Sequence, residues 1–374
     1  MKKLFKRKNG ITLVALVITI VILLILAGIS ISSLTQTEIF EKAKQAEQKG
    51  KEAEQNQTAI LGTYEKEINK YVAEELTSDK VDKVLSITEN IILKDSKGNV
   101  FIVPAGFKVK NDATTVDKGI IIEDTTETTT KGSQFVWVPV GTITKADGTT
   151  VKIKLDRYTF ADDDNATPTA QGDKAIDTYY KELENSDKGN TVAKSITNFK
   201  NSVAINGGYY IGRYEARQKN GQITEVKTDI IWNNITQPEA AKKAQNMYNS
   251  DKFVSDLMNS YAWDTAILFL QSCGTNKTYS RQNSLNTDSI AITGTIDDKQ
   301  CNIYDMASNV REFTTETCSS SGDPCVNRGG YYNSSTNYTS GRYLNKKSSA
   351  REFVNDQEVK ENYNKAVAYH DLLK

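Results

Sequence analysis

Side chains able to hold a metal, move a proton or attack a substrate are sparse in this chain, and their spacing excludes most catalytic schemes. The single histidine, His370, stands close to the C-terminal end. Ser-His-Asp, Cys-His and multi-histidine metal chemistry therefore have almost nothing to build on. The four cysteines, Cys273, Cys301, Cys318 and Cys325, fall in the final third and contain no C-x-x-C pair, so a zinc site is not indicated. Four cysteines allow three pairings. Local bridges, Cys273–Cys301 and Cys318–Cys325, would staple loops in an oxidising compartment, and the alternative is reduced, buried thiols. Asp162-Asp163-Asp164-Asn165 is acidic enough for a calcium loop but lacks the EF-hand pattern, and reads as a solvated insertion. The richest stretch is Tyr331 to Asn345, with four Tyr, three Asn, three Ser and two Thr. Tyrosine offers contact area at low entropic cost, and Asn and Ser offer adaptable hydrogen bonds, the mixture that recognition loops use. Candidate contacts are Tyr331, Tyr332, Asn333, Ser335, Asn337, Tyr338, Ser340, Arg342 and Tyr343. The plain alternative is a polar surface loop.

The N-terminus decides where such a loop would be shown. Residues 11–37 carry no charge and follow a leader with five bases and no acid. Ile11 to Ser33 as a helix would span roughly 35 Å, enough for a bilayer core of about 30 Å. The positive-inside bias places residues 1–10 in the cytoplasm and everything after the apolar run outside the cell. Lys8-Asn9-Gly10 abutting Ile11-Thr12-Leu13-Val14-Ala15 resembles the prepilin leader of type IV pilins and pseudopilins. That resemblance implies cleavage between Gly10 and Ile11 by a prepilin peptidase. Ala15 stands where assembling pilins carry glutamate, so a plain signal anchor is the other reading.

Lys plus Arg equals Asp plus Glu at 47 each, which gives no electrostatic case for nucleic acid. Residues 36–78 read as a helical stalk, with Ile39, Ala43, Ala46, Gly50, Ala53, Gln57, Ile60, Tyr64 and Tyr71 at alternating four- and three-residue steps. Short β-branched runs follow at Val84–Ile87, Ile91–Lys94, Val100–Val103 and Gly119–Ile122. Thr125 to Gly132 reads as a polar linker. Gln134 to Val140 is a strand that must leave its sheet at Pro139. Pro238–Met247 and Ala262–Leu270 are expected helices, the second largely buried.

Asp305-Met306, Asn309-Val310, Glu312-Phe313 and then Arg328-Gly329-Gly330 resemble the hallmark of the formylglycine-generating-enzyme (sulfatase-modifying factor) family, whose fold is a variant of the C-type lectin fold. The resemblance covers roughly Phe135 to Arg351. It implies a calcium site around Asp305 and Asn309, residues that by type alone are turn and cap formers. The catalytic members hold copper with two cysteines beyond the Gly-Gly, and here that stretch has none. Tyr331 to Asn345 resembles instead the variable region of diversity-generating-retroelement target proteins.

The expected protein is α+β: a leader (1–10), a transmembrane helix (11–35), a stalk (36–78), a small β-rich segment (79–130), a lectin-like head (131–352) and a charged helical tail (353–374). Its expected role is to bind an extracellular protein or glycan at the bacterial cell surface, without catalysis and without a cofactor apart from the calcium just named. The alternatives are a minor pilin or pseudopilin and a sulfatase-modifying-type oxidoreductase.

Overall fold

The computed structural model describes residues 38–126, 128–176, 180–182, 196–219, 222–224, 231–232, 235–285, 287, 289–318, 325–345, 363–364 and 366–370. The leader, the Gly10–Ile11 junction and the apolar segment 11–35 lie outside them. Among the described residues no helix is long and apolar enough to cross a membrane. The chain divides into two compact units, Met1–Ile60 and Leu61–Lys374. The second is a mixed helix-and-sheet head.

Glu38–Val72 is one helix, as the three-and-four spacing of its small and apolar residues requires. In the head, Ile91–Lys94 and Val100–Val103 pair antiparallel across the expected turn, with Gly98 at φ 80°. Val84–Ile87 is not a strand: Val84 makes a single bridge to Lys108, and Ser86 spends its hydroxyl on the turn at Thr88 and Glu89.

A six-stranded antiparallel sheet forms one wall of the head. Its spatial order is Phe253–Leu257, Ala366–His370, Gly208–Gly212, Gln134–Pro139, Ile121–Asp124 and Phe107–Val109. This order corrects two expectations. Strands 107–109 and 121–124 share a sheet with 134–139, so no domain boundary falls at 130; in the connection that follows, Thr126 and Thr130 donate to Asp124 and tie it down. The tail is likewise no helix at its described residues. Ala366–His370 pairs with Gly208–Gly212 on one side and Phe253–Leu257 on the other, filling an interior place in the sheet. Backbone groups left at that gap would otherwise go unpaired, which outweighs the weak helical spacing.

The second sheet runs Tyr180–Glu182, Glu312–Cys318, Cys325–Arg328 and Arg342–Asn345, with Tyr363–Asn364 also on Glu312–Cys318. Helix Ser260–Cys273 packs against a strand of each sheet and is buried at every residue except Ser272. Asn259 caps it by accepting from the Ala262 N–H at 2.9 Å. Helix Gln237–Met247 starts on a Thr236/Glu239 capping box with Pro238 in its first turn. Trp137 and Trp263 are fully buried, each such side chain worth roughly 2–3 kcal/mol.

All four cysteines are thiols in this structure, which departs from the expected bridges. The strand register sets Cys325 opposite Thr317 and Cys318 opposite Tyr180. Cys273 and Cys301 line one cleft, and burial pushes the Cys273 thiol up to about 12.

Candidate ligand-binding face

Asp264 is the one charged residue of the buried helix Ser260–Cys273, and the structure sets two arginines against it. Its carboxylate accepts from Arg328, from Arg342 Nη2 at 2.5 Å and from the Tyr158 N–H at 2.9 Å. Glu316 accepts from Arg157 Nη2 at 2.6 Å, Arg342 Nε at 3.0 Å and Arg328 Nη1 at 3.1 Å. Burial alone would raise the Glu316 carboxyl; Arg342, Arg328 and Arg157 overcome it and hold the group at about 2. Three guanidiniums and two carboxylates thus form a buried cluster of charge-assisted hydrogen bonds.

That cluster fixes both ends of the Tyr/Asn/Ser loop. Arg328 stands just before the loop and Arg342 at its exit, and they share the same two carboxylates. Arg328 also donates to the Gly341 and Ser340 carbonyls, and Trp263 Nε1 donates to Thr339 O at 3.1 Å. The Gly-Gly step is steric. Gly329 has φ 87°, and a β-carbon on Gly330 would stand 1.9 Å from Ala307 O. Beneath it, Asp298 accepts from the Ala307 N–H and from the Ser308 and Tyr279 hydroxyls. Burial, reinforced by nearby Asp305, pushes the Asp298 carboxyl up to about 6.

Along its length the loop is laced to Ser280–Thr287. Tyr331 N–H donates to Ser284 Oγ, Ser284 N–H to Asn337 O, and Thr339 N–H to Gln282 O. Tyr338 N–H donates to the Tyr343 hydroxyl at 2.9 Å. Guanidiniums cover the half-exposed rings: Arg281 lies 4.2 Å from the Tyr338 centroid and Arg311 4.3 Å from that of Tyr343. Arg281 also pairs with Asp162 at 2.7 Å, which brings the acidic turn 162–165 to the edge of the same face. Gln271 donates to the Asn165 and Ala166 carbonyls and holds that turn in place.

The structure sorts the sequence candidates into two groups. Asn333 and Ser335 are exposed, and Tyr338, Ser340 and Tyr343 are half-buried. Tyr331 and Tyr332 are buried, their rings 4.9 Å apart. Asn337 is buried, and in the amide orientation that satisfies both partners it accepts from Arg311 at 2.8 and 3.1 Å. Arg342 belongs to the charge cluster. As contacts, Tyr331, Tyr332, Asn337 and Arg342 are corrected to scaffold: the loop must bury these side chains to hold its own shape. Arg281 and Arg311 were not among the sequence candidates, because an arginine over an aromatic ring has no spacing signature. Asp264 did carry a signal, a carboxylate in a buried helical pattern.

Asp305 and Asn309 adopt φ 63° and 65°, the left-handed conformation of tight turns. Asp305 accepts from Thr293 Oγ1 and Gly294 N–H, while Asn309 bridges Ala291 and Glu215. These bonds give both residues a turn-and-strut role. Among the described residues no group of three His, Cys, Asp or Glu is placed to hold a metal ion.

A cleft of about 500 Å³ lies elsewhere, beside Cys273, Gly274 and Cys301. Its lining mixes lysines (Lys118, Lys145, Lys277, Lys299) with aspartates (Asp112, Asp117, Asp147). No protein-family model matches this chain, and no match was found among curated proteins or solved structures.

Proposed function

We propose that the head is a non-catalytic recognition domain of the formylglycine-generating-enzyme-like, C-type-lectin-like class, displayed outside the cell on the stalk helix and the apolar segment Ile11–Ser33. The carrying observation is the division of labour within one loop. Its ends are clamped on buried Asp264 and Glu316, whereas Asn333, Ser335 and Thr336 are exposed and Tyr338 is half-exposed. Such an arrangement lets surface side chains change without disturbing the base. The ligand class is an extracellular protein or glycan, met by aromatic faces and short polar groups. The stretch after Gly330 supplies Tyr, Ser, Thr and Asn rather than the thiolates that Cu(I) prefers, which supports recognition over oxidation.

The test is capture by the full chain, in detergent, on arrays of bacterial-surface glycans and extracellular proteins, with an Asn333→Ala/Tyr338→Ala variant alongside. The reading expects at least one partner whose capture falls about tenfold or more in the variant. Oxygen-dependent oxidation of a cysteine-containing sulfatase peptide, in place of any such capture, would show an enzyme instead.

A further inference from the structure

The last turns of the stalk helix leave apolar side chains in water. Leu61, Tyr64, Ile68, Tyr71 and Val72 are all exposed, Tyr71 at 87%. The opposite face of those turns meets the head. Gly62 and Asn69 are buried, and a β-carbon at Gly62 would stand 3.3 Å from the Ala204 backbone. With Tyr64 and Tyr71 written as heptad position a, Gly62 and Asn69 both fall at f, the position farthest from an a/d seam. The head therefore occupies the one face that a coiled-coil partner would not use.

The same numbering runs back along the helix. Ala43, Gly50 and Gln57 take a, and Ile39, Ala46, Ala53 and Ile60 take d. Small residues there permit close approach of a second helix. Glu67 is the exception at d, and it pairs with Lys70 at 2.5 Å. Lys42 and Lys49 fall at g, Glu47 and Glu54 at e. In a parallel pair, each g residue faces the e residue of the partner's next heptad, which sets Lys42 against Glu47 and Lys49 against Glu54. An antiparallel pair would set lysine against lysine and glutamate against glutamate.

We infer that the stalk is a dimerisation seam, on which a second copy of this chain packs in parallel. Charge complementarity selects the second copy and its direction, and the exposed Ile60, Tyr64 and Tyr71, flanked by Leu61 and Ile68 at e, supply the buried area. Two heads would then stand side by side, which raises avidity for a repeated ligand. The seam does not depend on the head binding as proposed.

The full chain in density-matched detergent, followed by sedimentation equilibrium, tests this. A dimer is expected. Tyr64→Glu/Tyr71→Glu should raise its dissociation constant at least about tenfold while the melting temperature of the head stays the same, since both side chains are exposed. Lys42→Glu/Lys49→Glu should also weaken the dimer, and adding Glu47→Lys/Glu54→Lys should restore it. A chain that stays monomeric at all concentrations, or a dimer indifferent to the tyrosine and charge substitutions, would overturn the inference.

Discussion

Tyr332 and Tyr338 share a loop but not a fate on truncation. Tyr332 is 4% exposed, packed on Tyr331, and its carbonyl takes the Thr287 N–H. Tyr332→Ala should cost about 3 kcal/mol of stability, read by chemical denaturation. Tyr338→Ala removes a half-exposed ring from beneath Arg281 and should cost less than about 1 kcal/mol. Asp298 gives a residue-scale pH test. Its folded value near 6 lies above the usual carboxylate value of about 3.9, so the native state binds the extra proton between those limits. Its contribution is fully present below about pH 4 and lost as pH rises through 6. The head should therefore lose up to about 2–3 kcal/mol from this group over that window. Asp298→Asn should flatten the stability profile there, and a profile unchanged by the substitution would contradict the assignment.

At the scale of elements, the charge cluster joins the Ser260–Cys273 helix to the sheet that carries the loop. Glu316→Gln removes the carboxylate that pairs with Arg157, Arg328 and Arg342 and should destabilise the head by about 3–5 kcal/mol. The change should be visible as a lowered denaturation midpoint even without ligand. Much of this element framework was legible in the sequence. Ile91–Lys94, Val100–Val103, Gln134–Pro139 and Gln237–Met247 announce themselves by period, punctuation or Pro position. The Gly-Gly step was legible too, as a place where backbone must pass backbone. The charge cluster was not, because Arg157, Asp264, Glu316, Arg328 and Arg342 are scattered along the chain and only the fold converges them. The same limit hid which loop tyrosines point inward: composition sets the loop's chemistry, while orientation depends on Ser284, Asn309 and Arg311 from other segments. The tail strand is hidden in the sequence for a related reason. The tail's charged composition outweighs the short run Ala366-Val367-Ala368-Tyr369-His370, whose place is set by two distant strands.

For the whole molecule, the strand Ala366–His370 is an interior member of the six-stranded sheet. Removing residues 363–374 should split the six-stranded sheet between Gly208–Gly212 and Phe253–Leu257 and abolish cooperative unfolding. A truncated head that melts like the intact one would show the strand to be dispensable. The proposed display outside the cell adds a topological expectation: mass spectrometry should find a mature N-terminus at Ile11 where a prepilin peptidase is present, and an intact Met1 would reduce the leader to a signal anchor. The central claim, a variable-tolerant face on a rigid base, is tested most directly by saturation mutagenesis of residues 331–345 in the full chain on whole cells, scored for thermal resistance of the head. The account predicts broad tolerance at Asn333, Ser335, Thr336 and Tyr338, with sharp intolerance at Tyr331, Tyr332, Asn337 and Arg342. Uniform intolerance along the loop would make it scaffold throughout, and uniform tolerance would mean that the buried clamp does not hold it; either result would contradict the account.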